Sequence, residues 1–549
     1  MNILIDLQGS QTESKFRGIG RYSLSITKGL LRNNKYHNFY IFLNGNFEDT
    51  LEDIKKSLYG LLPEKNIIVC QLPAPLRACD QGNEWRQEAA AIIREEMIRT
   101  LSVDWVFITS LFEGHVDDAA ITIKKLQSNA KVAVLHHDLI PLVNEKTYLQ
   151  DNHFRQYYME KIDYLKRADL ILTNSDYTAQ EIHEWLSDAQ GKIVSISSAT
   201  EDEWYNKEIV DINFEAVKEK FSIKKDIILY APGGFDKRKN FERLILAFSK
   251  IEPELRFNKQ LVIISKINET DRNYLQSIVL RAGLSKKDVV LTGYVSDDEL
   301  ILLYRNCFLF VFASEHEGFG LPILEAMRCG AATIGSNVTS IPEVIGLEEA
   351  LFDPFSVNSI SSKIRDVIIN EQFRHSLKKH ALCQASKFSW DISAQRAIEA
   401  FELFESENNE KDENAEEAIT ALDSIKRINT KIRPTEQDLL RVAEALDRNI
   451  KRVELYKALS KPLEWQIDGP FDSSYSLALV NREFARGLAK KGVEIFLHST
   501  EGPGDFNPST SFLQKGNNAD LLAWNEKARR QINESVSVQS RNIYPPRVS

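Results

Sequence analysis

FLFVFASEHEGFGLPILEAMRCG, residues 308–330, decides how this chain is read. An apolar run at 308–312 leads into the turn Gly318-Phe319-Gly320-Leu321-Pro322, and a helical pattern follows. Strand, glycine turn and helix in direct succession open a βα unit, and open α/β sheets bind ligands at that carboxyl edge. Glu317 and Glu325 bracket the turn with seven residues between them. Gly318 and Gly320 allow a ligand to approach the backbone, and amides at the helix start can meet anionic oxygens. Glu317, before the turn, can reach sugar hydroxyls, and Glu325, about one and a half turns into the helix, a ribose. A Glu-x7-Glu pair alone favours the reading of a capped helix with two surface glutamates, because such pairs are common by chance. The strand, glycines and proline around it favour the ligand reading.

Working outward, APGGFDKRKNFERLILAF (231–248) repeats the arrangement with a different charge. A buried run ends in Gly233-Gly234, the basic cluster Lys237-Arg238-Lys239 follows, and a helix begins. Two cations beside a helix start can stabilise a departing diphosphate without a metal. A solvated basic turn is the bland alternative. VAVLHHDLIPL (132–142) delivers His136, His137 and Asp138 to another strand end, where His137 and Asp138 are candidates for sugar hydroxyls. A metal there would need further ligands, and His115 and His153 stand at no recognisable spacing. LILTNSDYTAQEI (170–182) reads most simply with Ser175 as a helix N-cap, ligand contact being secondary. RGIGRYSLSI (17–26) places Gly18 and Gly20 in a turn after the first strand, and G-x-G alone is weak evidence of phosphate contact.

Apolar runs at 3–7, 103–109, 132–135, 170–172, 227–230, 261–264, 289–291 and 308–312 are rich in Val, Ile and Leu and lack clean alternation. Parallel strands covered on both faces look this way. With helical-period segments between them they predict doubly wound α/β domains. Residues 406–418 are strongly acidic, as in an exposed linker. Residues 419–460 have helical periodicity, and 463–506 read as strand, turn, helix, Gly492 cap and strand, a fresh βαβ start. Residues 507–549, poor in apolar runs, are expected to be the least ordered.

The chain has 549 residues, 43% hydrophobic and 27% charged, too many for a single core. A formal charge of -10 argues against a nucleic-acid partner. Cys70, Cys79, Cys307, Cys329 and Cys383 include no CxxC pair, the pattern of reduced cytoplasmic thiols without a disulfide framework or zinc site. No run of 18 or more apolar residues occurs, so membrane attachment is expected to be peripheral.

In order and spacing, GIGRY, HDLIPL, TNSDYT, GGFDKRKN, EHEGFGLPILEA and FSW over residues 1–405 resemble the retaining GT-B glycosyltransferases of family GT4. The second start at 463–506 is similar to the tandem-module mannosyltransferases that build bacterial polymannose O antigens. The resemblance implies two Rossmann-like domains facing a cleft, an N-terminal acceptor domain (1–205) and a nucleotide-sugar domain (206–386). A helix at 387–405 would cross back, 406–461 would be a charged helical linker, and 462–549 the incomplete start of a second module.

The same resemblance implies that Glu317 binds the transferred hexose and Glu325 the ribose. The amides of Gly318, Phe319, Gly320 and Leu321 would line the donor, Arg238 and Lys239 would hold the diphosphate, His137 would approach the donor sugar, and Gly18 and Gly20 would lie beneath it. Many members place an arginine five residues before the lysine, where this chain has Gly234, so Arg238 is expected to supply the second charge. The implied chemistry is metal-independent, cofactor-free front-face transfer of mannose from GDP-mannose to a mannose-terminated, lipid-linked glycan. It would take place at the inner face of the bacterial inner membrane, with a chain-terminating protein partner. A UDP-hexose donor and a GT-B nucleotide-sugar epimerase are the competing readings. A phosphorylase would need a pyridoxal lysine motif, which does not stand out, and a noncatalytic scaffold role concerns 463–549.

Overall fold

The computed structural model describes residues 1–16, 18–126, 128–201, 209, 212–407, 421–430 and 433–460. Beyond these it describes 464–468, 476–489, 494–498, 500–501, 504–505, 518–530 and 538–541. Gly492 and the acidic stretch 408–418 lie outside the described residues.

Two compact units divide the chain, residues 1–450 and 451–549. The first contains two wholly parallel α/β sheets that face one another across a cleft. The N-terminal sheet is built from β1 (Asn2–Asp6), β2 (Asn38–Asn44), β3 (Ile67–Cys70), β4 (Trp105–Ile108), β5 (Lys131–His136), β6 (Leu170–Thr173) and β7 (Lys192–Ser195). Their order is β3-β2-β1-β4-β5-β6-β7. The second sheet contains β8 (Asp226–Gly234), β9 (Lys259–Lys266), β10 (Val289–Leu291), β11 (Leu309–Phe312), β12 (Thr333–Ser336) and β13 (Leu351–Phe352), ordered β10-β9-β8-β11-β12-β13. In each sheet the chain winds outward from its first strand, returns, and continues on the other side. The switch points are β1/β4 and β8/β11, and crevices open at the carboxyl ends of such pairs.

All eight apolar runs form strands, as their burial requires; β4 and β11 are buried along their whole length. The sequence reading did not anticipate β2, β3, β7, β12 or β13. For two of them the reason is local, since β7 is only half-buried and β13 has two residues, whereas β2, β3 and β12 are buried over most of their length.

The helix Trp390–Glu407 packs against the helix Gly18–Asn33 of the N-terminal domain. Its apolar stripe sets Phe401 edge-on to Trp105 at 5.0 Å and Trp390 edge-on to Tyr22 at 4.8 Å. The polar ends are tied by Arg32 to Asp391 at 2.9 Å and by the Trp105 indole donating to Glu405 at 2.6 Å. Beneath the first sheet Arg94 and Asp6 form a fully buried ion pair at 2.7 Å, with Arg94 also donating to the Thr122 carbonyl. Glu436–Ser460 is helical, and its Asn449 exchanges hydrogen bonds with the backbone of Gln71.

In the second unit, strands Glu464–Asp468 and Glu494–His498 are parallel and flank the helix Ser476–Ala489 in sequence. Of the stretch 507–549, residues 518–530 and 538–541 are described and the others lie outside the described residues. Ala519–Arg530 is a helix and Val538–Arg541 pairs with Glu464–Asp468. Few apolar residues are needed there, because Leu521 alone enters the small core of Ile467, Ile495 and Leu497 completely.

Candidate active site

Neighbouring strands bring the two strongest motifs together. β8 ends at Gly234 and β11 at Phe312, and the loops that follow them meet over the β8/β11 switch point. Asp236 caps the 3-10 turn Lys237–Lys239 by accepting the Arg238 amide at 3.0 Å. Asn240, in the left-handed conformation, anchors the far side by donating to the Ala313 and Pro354 carbonyls. The turn therefore presents Arg238 and Lys239 to Glu317. Arg238 Nη1 donates to Glu317 Oε2 at 2.9 Å and to the His316 carbonyl at 2.6 Å, and Lys239 Nζ donates to Glu317 Oε1 at 2.6 Å.

This ion triad is enclosed: the side chains of Glu317 and Lys239 are 10% and 9% exposed. Burial works against the Glu317 charge, but Lys239 and then Arg238 outweigh it and hold the carboxyl at about 2. Burial pulls the Lys239 ammonium below its ordinary value, with Glu317 opposing. Glu317 is thus ionised across the neutral range.

Gly320 has φ of +102°, a conformation that favours glycine, and launches the helix Leu321–Arg328 with Pro322 in its first turn. Glu325 in that helix is buried. Burial raises its pKa, and Arg21 of the N-terminal domain opposes this from 3.9 Å, while Tyr304 donates to its Oε2 at 3.2 Å. Gly318 has a different reason to be glycine. A Cβ there would lie 2.0 Å from the His137 carbonyl oxygen. What approaches Gly318 closely is therefore the opposite domain's backbone, where the sequence reading had a ligand.

The N-terminal domain supplies the facing wall. His137 follows β5, donates from Nε2 to the Thr109 carbonyl at 3.4 Å, and lies edge-on to Tyr22 at 5.2 Å. Desolvation lowers it to about 4, so it is neutral at pH 7. Burial raises Asp138, with Arg238 from the other domain opposing. Ser175 is the N-cap of the helix Asp176–Trp185, accepting the Thr178 amide at 3.0 Å, as the sequence predicts. It also crosses the cleft: its hydroxyl donates to the Gly318 carbonyl at 2.6 Å, and Thr178 donates to the same oxygen at 3.1 Å.

Gly18 and Gly20 differ in their surroundings. A Cβ at Gly18 would face Leu321 across the cleft at 3.3 Å, whereas Gly20 is pressed against the Ser14–Lys15 backbone. Phe319 is buried against Phe388, and its carbonyl accepts from Ser340.

Several residues at this cleft escaped the sequence reading: Arg21, Tyr148, Asp236, Glu181 and His316. Asp236 was legible as a cap, since Asp directly precedes the basic turn. The pairing of His316 with Glu181 at 2.9 Å joins two domains and has no local signal. A cavity of about 310 Å³ opens beside His137, lined among others by Glu113, His115, His136, Phe154, Tyr157 and Tyr158. His136 Nε2 and the Tyr158 hydroxyl are buried there without hydrogen-bond partners. Unsatisfied buried polar groups of this kind suit a polar ligand. Among the described residues no group of three or more His, Cys, Asp or Glu is placed to hold a metal ion, and no helix is long and apolar enough to cross a membrane.

The sequence profile of glycosyl transferases group 1 matches residues 213–382, the stretch that carries both the basic turn and the glutamate loop. The chain is 36% identical over 496 residues to the serotype-specific mannosyltransferase WbdA of Escherichia coli, an alignment covering 90% of this chain and 58% of that protein. It is 33% identical over 246 residues to the O-antigen chain mannosyltransferase B of Escherichia coli, covering 44% of this chain and 64% of that one. The chain thus spans a little over half the length of the first of these relatives. Sucrose-phosphate synthase from Thermosynechococcus elongatus superposes with a TM-score of 0.54 at 16% identity, covering 74% of this chain and all of that one, a likeness of fold. With two parallel sheets, a cleft between their carboxyl edges and this agreement along the sequence, the chain has the two-domain GT-B fold, and its residues 213–382 are similar to the glycosyl transferases group 1 family.

Proposed function

We propose that this chain transfers mannose from GDP-mannose to a mannose-terminated glycan with retention of configuration. The observation that carries the reading is the triad of Glu317 with Arg238 and Lys239, directly opposite His137 in a closed cleft. In this reading Arg238 and Lys239 take the diphosphate, and Glu317, released from part of their charge, orients the hexose. The amides from Gly318 to Leu321 line the donor, and Glu325 takes the ribose. Gly18 and Gly20 shape the loop beneath, and Asp138 and Ser175 hold the domains at their working separation.

The anomeric carbon–phosphate oxygen bond breaks as the acceptor hydroxyl bonds to the same face of that carbon. The hydroxyl proton passes to the departing phosphate oxygen, and the two cations stabilise the charge that develops there. His137 stays uncharged above about pH 4 and acts as a hydrogen-bonding wall for the sugar. The cavity beside it, with the unpaired His136 and Tyr158 groups, takes the acceptor hydroxyls.

Mannose as the transferred sugar and an O-antigen glycan as the acceptor are supported by the names of the relatives at 36% and 33% identity. A lipid-linked acceptor would put the enzyme on the cytoplasmic face of the membrane, peripherally held and working with a chain-terminating partner.

The test is incubation with GDP-mannose, EDTA and a short mannose-terminated acceptor, followed by mass spectrometry. Addition of one or more hexoses, abolished in Glu317→Ala, supports the proposal. Transfer from UDP-hexose alone would move the donor assignment, and release of free nucleotide with an epimerised sugar and no acceptor product would overturn it.

A further inference from the structure

One polar contact across the cleft lies outside every residue assigned so far. After His137 the chain makes two short helices, Ile140–Val143 and Glu145–Tyr148, and the second ends at the mouth of the cleft. There the Tyr148 hydroxyl of the N-terminal domain donates to Asp236 Oδ1 of the other domain at 2.6 Å. Burial and the neighbouring Asp236 charge raise the phenol's pKa, which keeps it a donor.

Asp236 Oδ1 is the same atom that accepts the Arg238 amide, and Arg238 Nε lies 3.9 Å from it. The Asp236 carbonyl accepts the Lys239 amide at 3.1 Å. The turn has left β8 behind at Gly234, so no sheet ladder holds it, and Asp236 is its near anchor. Ser175 and Thr178 make the equivalent connection to the glutamate loop through the Gly318 carbonyl. Each loop of the second domain that carries the triad therefore receives a hydrogen bond from the first domain.

We infer that Tyr148 is a positioning residue: by binding the cap of the Lys237–Lys239 turn, it makes the grip on a nucleoside diphosphate depend on approach of the N-terminal domain. The inference rests on the reading that Arg238 and Lys239 bind the diphosphate. With the domains apart, the turn keeps its cap but loses the outer bond that orients the carboxylate. With the domains together, one oxygen ties the turn to both. Loss of a hydrogen bond to a charged group at such a point corresponds to about tenfold in affinity.

The experiment is calorimetric titration of the full chain and its Tyr148→Phe, Asp236→Asn, Asp236→Ala and Lys239→Ala variants with GDP and GMP, alongside thermal melts. Tyr148→Phe is expected to weaken GDP about tenfold and GMP less than twofold, with an unchanged melting temperature. Asp236→Asn, whose side-chain carbonyl can still accept both hydrogen bonds, is expected to lose less than Asp236→Ala. GDP affinity unchanged in Tyr148→Phe but lost in Lys239→Ala would overturn this inference and leave the diphosphate reading standing. GDP affinity unchanged in Lys239→Ala as well, or no GDP or UDP binding by the wild type, would overturn both.

Discussion

Replacing Glu317 by glutamine keeps the shape of the triad and removes the one negative charge between two enclosed cations. An ordinary glutamate titrates near 4.3, and Glu317 is held at about 2. At about 1.36 kcal/mol per tenfold change in proton affinity, the difference is roughly 3 kcal/mol of folding stability at pH 7. The folded-state value is the depressed one, so this contribution is present in full above the unfolded value and is lost as pH falls from about 4.3 toward 2. By linkage it shrinks to less than half of that at pH 3. Breaking a buried pair from one side costs about 3–5 kcal/mol when the remaining charge stays trapped. Lys239, whose pKa burial already lowers, can shed its proton instead, which keeps the cost toward the low end.

Urea unfolding of wild type and Glu317→Gln, followed by tryptophan fluorescence at pH 7 and pH 3, measures both quantities. The expected result is a loss of about 3 kcal/mol at pH 7 and less than half of that at pH 3. A loss below about 1 kcal/mol at pH 7, the range of exposed ion pairs, or an equal loss at both pH values would refute the claim that the triad is desolvated and ionised.

Other consequences follow from the same cleft. Lys239→Ala should lower kcat/KM for the donor by about 10²–10³-fold, read in initial-rate assays, because a cation aimed at developing phosphate charge is removed. Gly318→Ala would drive a Cβ to 2.0 Å from the His137 carbonyl, so the loop or the opposite strand end must move by an ångström or more. Transfer should fall about 100-fold while the far-ultraviolet circular dichroism is retained, and near-normal turnover would show that the close approach is dispensable. Ser175→Ala removes both a helix cap and the bond to the Gly318 carbonyl. It should cost about 2 kcal/mol in urea unfolding, and a cost under 0.5 kcal/mol would deny the cap its role.

Eight strands of the two sheets were legible because parallel strands buried on two faces need uninterrupted apolar runs, and β5, β8 and β11 have them. The ends of β8, β11 and β5 were legible too, since Gly233-Gly234, Gly318-Phe319-Gly320 and His136-His137-Asp138 interrupt the pattern with residues a core does not use. Helix 519–530 and strand 538–541 were not, because only Leu521, flanked by the partly buried Leu522 and Trp524, seats that short helix on the small core. The second purpose of Ser175 was hidden for another reason. A cap is defined by its own next three residues, whereas the Gly318 carbonyl it also contacts is 143 positions away.

From the sequence alone came the fold class, the two charged loops, and the resemblance that joins them, because periodicity, turn chemistry and charge are properties of short windows. Tertiary structure decided which loops meet. β8 and β11 are neighbours only because the chain winds out through β9 and β10 before returning, and that order sets Lys239 against Glu317 across 78 residues. Closing the second domain on the first then adds Tyr148 to Asp236, Ser175 to Gly318 and Arg21 to Glu325. Hydrogen bonds and ion pairs act over a few ångströms whatever the separation along the chain. Their partners are therefore chosen by the packing of the cores that carry them.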